Sequence, residues 1–299
     1  MASKKYYERL LIVAGMFIIF FVIMMMSLSL LKEYLNISQE TREGQLILSV
    51  VQAFVLFIFP SVLAARVISQ RPVAYLELDR PPHWLPVVGL VFAYLMALPA
   101  LNQIIYWNAH ISFPDSIAHW GETLREMEDS AASASERMLN VDSWSGLIVN
   151  LIVIGLITAF GEELFFRGTV QRTAASSGAP HTAIWVVALL FSALHMQIFG
   201  FVPRLLLGAW FGYLLYWTRS VYVPVLAHFL NNGTVVLCAW LEVRGLEIDF
   251  EKLGVVEYGF PLPAFISSLA TVVFLVYFRK FFFESGRRNQ KTTPSLDYA

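Results

Sequence analysis

Residues 144–168, WSGLIVNLIVIGLITAFGEELFFRG, are the stretch on which the reading of this chain turns. The first part is apolar for about as long as a bilayer is thick, since roughly 20 such residues span the hydrocarbon core. The last part places Glu162, Glu163 and Arg167 in the same segment. Ionisable groups in a membrane helix cost on the order of 2.5–3.5 kcal/mol each on insertion scales, and they persist where they pair or do chemistry. One segment thus carries both the fold signal and the first sign of a site.

Working outward, seven more runs have the same apolar character: residues 10–31, 46–68, 84–106, 182–199, 201–217, 221–241 and 264–283. The fifth and sixth of the eight, 182–199 and 201–217, are short and almost continuous around Gly200. Composition agrees, with 57% hydrophobic and only 14% charged residues. A soluble domain carries about 25% charged residues. The expected fold class is therefore all-α, a polytopic transmembrane bundle of about eight helices. The basic N-terminus precedes a run too long for a signal-peptide core and lacks a clear cleavage site, so the first helix is expected to be retained. The net charge of −1 offers no basic surface for nucleic acid. A single cysteine, Cys238, supplies neither a disulfide framework nor a cysteine metal cluster.

Residues 1–284 read as one transmembrane domain, with a motif-bearing core at 144–241. Residues 110–142 form an acidic segment read either as an interfacial helix capping the outer side or as a solvated loop. Residues 285–299 read as a polar, disordered cytoplasmic tail. Lysines and arginines set the orientation. With the N-terminus inside, the inner segments hold 14 of the 21 basic residues, which places both termini in the cytoplasm.

Three polar sets fall on three successive apolar segments. In EELFFR, Glu163 and Arg167 are spaced i, i+4 and can pair on one helix face. Glu162 is turned roughly 100° away and is left for chemistry. In FSALH, Phe191 and His195 are again i, i+4. In HFLNN, His228 and Asn232 project from one face and offer two donors to a common point, as a developing oxyanion requires. Together these residues supply the parts of one hydrolytic site: Glu162 as base toward a water, His195 to hold that water, and His228 with Asn232 as the oxyanion pair. Gly208 and Gly212 read as close helix packing.

These motifs, EExxxR, FxxxH and HxxxN in that order, resemble those of the CPBP family, also called Abi or CAAX-protease and bacteriocin-processing. That family includes the Ras-converting type of CAAX prenyl endopeptidase. The resemblance covers about residues 155–241. It implies an all-helical membrane bundle that hydrolyses peptides with a glutamate-activated water and no required metal or other cofactor. It implies Glu162 and His195 as catalytic, His228 and Asn232 as the oxyanion pair, and Glu163, Arg167 and Phe191 as supporting residues. The implied partners are the bilayer and a peptide or lipidated protein substrate. The implied location is a bacterial inner membrane, with the endoplasmic reticulum as runner-up.

Three other readings stay open at this stage. Two Glu, two His and one Asn offer ligands to zinc, although HExxH is absent. A non-catalytic immunity or scaffold protein could keep the same fold. Buried Glu and His also serve proton relays in transporters.

Overall fold

The structure is a computed structural model, which describes residues 2–82, 84–246 and 250–292. Among the described residues all regular secondary structure is helical. The principal helices are α1 (Ala2–Tyr34), α2 (Arg42–Ile68), α3 (Trp84–Ala109), α4 (Ala118–Leu139), α5 (Trp144–Ala175), α6 (Pro180–Ala193), α7 (Phe201–Thr218), α8 (Tyr222–Val243) and α9 (Leu262–Thr292). Among the described residues, seven helices are long and apolar enough to cross a membrane; α6 is a shorter apolar helix. The molecule is thus a polytopic helical membrane protein. The expected fifth span breaks after Ala193. At about 1.5 Å per residue its 14 residues reach only some 21 Å. Met196 takes a left-handed φ of 56° just beyond the helix, a conformation that stops a helix rather than extends it.

Local signals set the other ends. Thr41 and Ser143 accept hydrogen bonds from Gly44 N and Gly146 N and so cap the starts of α2 and α5. Pro180 opens α6, where a missing N–H costs nothing. Pro99 lies inside α3 and removes one helical bond. Ser267 of α9 compensates nearby, accepting from Ala100 N and donating to Met96 O. The acidic segment forms the exposed helix α4, which buries none of its residues. It is tied at its C-terminal end by Arg42 and Asn150, both of which donate to Met138 O. The polar tail differs from expectation: α9 continues as helix through Thr292, and residues 293–299 lie outside the described residues.

Helix α5 also differs. The sequence places the fourth apolar span at 144–166, whereas the helix runs nine residues past Phe166, to Ala175. Its extra turns are polar yet largely buried, because most of their polar groups find a partner. Thr169 Oγ1 donates to Leu164 O, Gln171 Nε2 to Gly212 O, and Arg172 Nη1 to Ala74 O. At that end of the bundle Glu77, only 1% exposed, lies within 3.0 Å of Arg219, 3.2 Å of Arg172 and 3.5 Å of Arg80. This ion cluster binds the loop after α2 to the end of α5 and to the turn between α7 and α8.

The extension of α5 moves Glu162 away from the helix end where the sequence placed it. Glu162 precedes Arg172 by ten residues, so it stands about 15 Å along the helix from the ion cluster. His195 lies 15 residues past the start of α6, roughly 22 Å up its own helix. His195 reaches the site from the turn just beyond the break after Ala193, and Glu162 from well inside α5.

Candidate active site

Helix α5 is wound widely on both sides of its glutamates. Residues Leu151–Ile157 and Leu164–Gln171 form π turns, and Ala53–Ile58 of α2 does the same opposite them. Such turns shift side-chain direction and free backbone carbonyls, and they often accompany functional sites. Gly161 permits the contact between these helices: a Cβ there would stand 3.2 Å from Ala53 O. Glu162 and Glu163 follow directly.

Glu163 and Arg167 are completely buried and paired, with Arg167 Nη1 donating to Glu163 Oε1 at 2.8 Å. The other arm of Arg167 donates to Gly208 O at 3.0 Å. Its guanidinium lies 4.5 Å from the ring centre of Phe191 and 5.4 Å from that of Phe211. Aromatic faces and a carboxylate thus replace the water lost on burial. Gly208 and Gly212 have a second use beyond packing. They expose the backbone oxygens that receive Arg167 and Gln171, one turn apart on α5. A Cβ on Gly212 would meet Gln171 Oε1 at 2.6 Å and Ile184 at 2.9 Å.

The structure adds a contact that helical spacing did not reveal. Glu163 Oε1 also receives His228 Nδ1 at 2.9 Å. A carboxylate is acceptor-only, so Nδ1 carries the proton in this bond. The other ring nitrogen, Nε2, is thereby turned toward Glu162, 3.9 Å from its Oε2. Phe211 stacks on the imidazole at 5.0 Å and fixes its plane. Glu162 is 8% exposed and has no hydrogen-bond partner among the described residues.

His195 sits in the turn after α6, exposed, with Nδ1 on Phe191 O at 2.8 Å. Phe191 meets His195, His228 and Arg167 at once, with ring centres 5.0 Å and 6.0 Å from the two imidazoles. Glu162 is close enough for its charge to act on His195. Asn232 is placed differently. Its Nδ2 donates to Ile154 O at 3.1 Å, and its Oδ1 accepts from Asn231. No hydrogen bond joins Asn232 to Glu162, Glu163, His195 or His228 among the described residues. One amide N–H of Asn232 remains beyond the bond to Ile154.

The structure therefore brings Glu162, Glu163, Arg167, Phe191 and His228 into one cluster, with His195 at its exposed edge and Asn232 one turn further along α8. Among the described residues, no group of three or more His, Cys, Asp or Glu side chains is placed to hold a metal ion. Sequence reasoning missed two features. One is the Glu77 cluster, whose arginines served only as orientation charges. The other is Arg204, which holds the turn carrying His195 and which the sequence likewise counted only as a loop charge.

Fold and cluster define a polytopic membrane protein with a buried Glu–Arg–His–Glu network at mid-span. Residues 144–234 match the family model described as type II CAAX prenyl endopeptidase Rce1-like. The matched segment contains all three motifs, so the resemblance read from them is borne out over that segment. Over 90 residues the chain is 31% identical to the uncharacterized protein YpbD of Bacillus subtilis (strain 168), which covers 29% of this chain and 43% of that protein. The chain thus spans less than half the length of this curated relative. No solved structure matches significantly.

Proposed function

We propose that the protein is an intramembrane endopeptidase that hydrolyses a membrane-associated peptide or lipidated protein with a water activated by Glu162. The observation that carries this reading is the division of labour between adjacent glutamates. Glu163 is consumed by Arg167 and His228, whereas Glu162 faces the same histidine without a hydrogen-bond partner. The match to a family described by an endopeptidase activity supports the reaction class.

In this mechanism Glu162 takes a proton from a water that His195 helps to hold. The resulting hydroxide attacks the scissile carbonyl. His228, as an imidazolium whose Nδ1–H stays on Glu163, donates its Nε2–H to the oxyanion together with the remaining amide N–H of Asn232. The proton held by Glu162 then passes to the leaving amine, which restores the carboxylate. Glu163 does not touch substrate; it orients the ring through Nδ1, and Arg167 offsets its charge. The distribution of lysine and arginine supports cytoplasmic termini, and the likeness to a Bacillus protein supports a bacterial inner membrane.

The test is cleavage by purified, detergent-solubilised protein of a panel of farnesylated CAAX peptides and unmodified peptides. Activity that disappears in Glu162→Gln supports the reading. A folded wild-type protein that cuts nothing, together with a cellular phenotype insensitive to Glu162→Gln, would replace it with a non-catalytic role.

A further inference from the structure

Glu77 sits among more positive charge than it can offset. Ion pairs among the described residues join its Oε1 to Arg80, Arg172 and Arg219. Asp79 adds a second carboxylate, 3.7 Å from Arg80. Three guanidiniums against two carboxylates leave one positive charge in a cluster where Glu77 is 1% and Arg80 5% exposed. The charge of Arg9 reaches the same end of the bundle, since it acts on Tyr75, whose ring lies 5.0 Å from the Arg172 guanidinium. Uncompensated charge taken out of water is costly, so such a cluster favours an anion brought in from outside. Glu77 and Arg219 also hold left-handed φ values of 55° and 54°, in turns where glycine or asparagine is usual. At both positions the charged side chain, rather than the backbone, accounts for the residue.

A cleft opens beside the cluster, between the end of α5, the start of α6 and the end of α7. Glu77, Gln171, Arg172, Pro180, Tyr216 and Arg219 line it, and it holds about 360 Å³ of empty space continuous with solvent. Its wall carries acceptors as well as cations: Glu77 Oε2 and Gln171 Oε1 are buried without a hydrogen-bond partner. A ligand that suits both sets has an anionic group for the arginines and a hydroxyl or ammonium donor for the two acceptors. Arg172 stands about 15 Å along α5 from Glu162, half the thickness of a hydrocarbon core of about 30 Å. With Glu162 near mid-span, the cleft lies at the level of the lipid headgroups. The lysine and arginine distribution assigns this end to the cytoplasm. Anionic lipids are abundant in that leaflet, and basic pockets between helices receive their headgroups there.

We propose that this cleft binds the phosphoryl headgroup of an anionic phospholipid. The phosphate lies on Arg172 and Arg219, and a headgroup donor reaches Glu77 Oε2 or Gln171 Oε1. Bound there, the lipid neutralises the excess charge and ties the end of α5 to the turn between α7 and α8. A soluble phosphate ester has the same chemistry, and the test separates the two sources. The proposal does not depend on the endopeptidase reading.

The test uses the full chain, delipidated in neutral detergent, and reads its thermal unfolding midpoint. The ligands added are phosphatidylglycerol, phosphatidylcholine and glycerol phosphate. Phosphatidylglycerol at saturation is expected to raise the midpoint by about 5 °C or more, and phosphatidylcholine by less than half as much. An equal rise with glycerol phosphate identifies a soluble ester as the ligand of the same cleft; no rise with it identifies the lipid. Arg219→Gln cuts the phosphatidylglycerol shift to less than half. Arg71→Gln, which removes an exposed charge that does not line the cleft, keeps it. Because Arg219→Gln also breaks a pair with Glu77, a second measurement is made on wild type. Phosphatidylglycerol with a photoreactive headgroup should label residues 171–180 or 213–219, mapped by mass spectrometry. Equal shifts with the two lipids, an unchanged shift in folded Arg219→Gln, an equal loss in Arg71→Gln, or labels only outside those segments overturn the proposal.

Discussion

His228 presents Nδ1 to Glu163 at 2.9 Å and thereby directs its Nε2 toward Glu162. One buried carboxylate accordingly serves two cations or donors, Arg167 along its own helix and His228 from α8. The adjacent carboxylate stays outside this bonding. Several consequences of that arrangement can be measured.

Replacing Glu163 by Gln removes the negative charge that Arg167 depends on in a fully buried position. Breaking such a pair on one side costs about 3–5 kcal/mol. Thermal unfolding in detergent should therefore show Glu163→Gln as strongly destabilised. Glu162→Gln, which breaks no hydrogen bond, should melt close to wild type.

Removing both charges together should be milder than removing one. A Glu163→Leu, Arg167→Met double variant leaves no buried charge unpaired, and such replacements are often neutral or stabilising. Its unfolding midpoint should lie above that of Glu163→Gln. His228 then loses its acceptor, so cleavage should remain low despite the recovered fold.

Asn232→Ala tests the oxyanion assignment against a structural role. Loss of the bond to Ile154 O is worth about 1 kcal/mol of stability. Loss of an oxyanion donor lowers turnover about 10²–10³-fold. A variant that is slightly less stable but keeps full turnover would leave Asn232 as an anchor for the π turn of α5 and nothing more.

Gly212→Ala should perturb the site from a distance. The added methyl meets both the Gln171 amide and Ile184, and overpacking of this kind costs about 1–3 kcal/mol. A lowered unfolding midpoint with partial loss of cleavage is the expected outcome. Unaltered stability would show that Gln171 moves aside freely.

Much of the fold was legible because hydropathy over a span of about 20 residues survives any detail of packing. The three motifs were legible for the opposite reason: polar residues stand out against an apolar background. The end of α5 was not. Thr169, Gln171 and Arg172 look like the edge of the membrane, yet the first two are buried and the third half-buried, because Leu164 O, Gly212 O, Ala74 O and Glu77 take their donors. Those partners come largely from distant segments, so a local reading ends the helix too early and misplaces Glu162. The bond between Glu163 and His228 was hidden in the same way, since it joins residues 65 positions apart. The π turns leave no local signature either, because their wider winding depends on packing against α2 and α8.

The central claim is that Glu162 activates the attacking water while Glu163 only orients His228. The most direct measurement is the cleavage rate of purified wild type, Glu162→Gln and Glu162→Asp on the peptide panel, each with and without chelator, after thermal unfolding has shown all three to be folded. The account predicts that Glu162→Gln loses at least about 10²-fold in rate at unchanged stability and that chelator leaves wild type active. Full activity in Glu162→Gln would contradict the account, and loss of wild-type activity in chelator would move the chemistry to a metal.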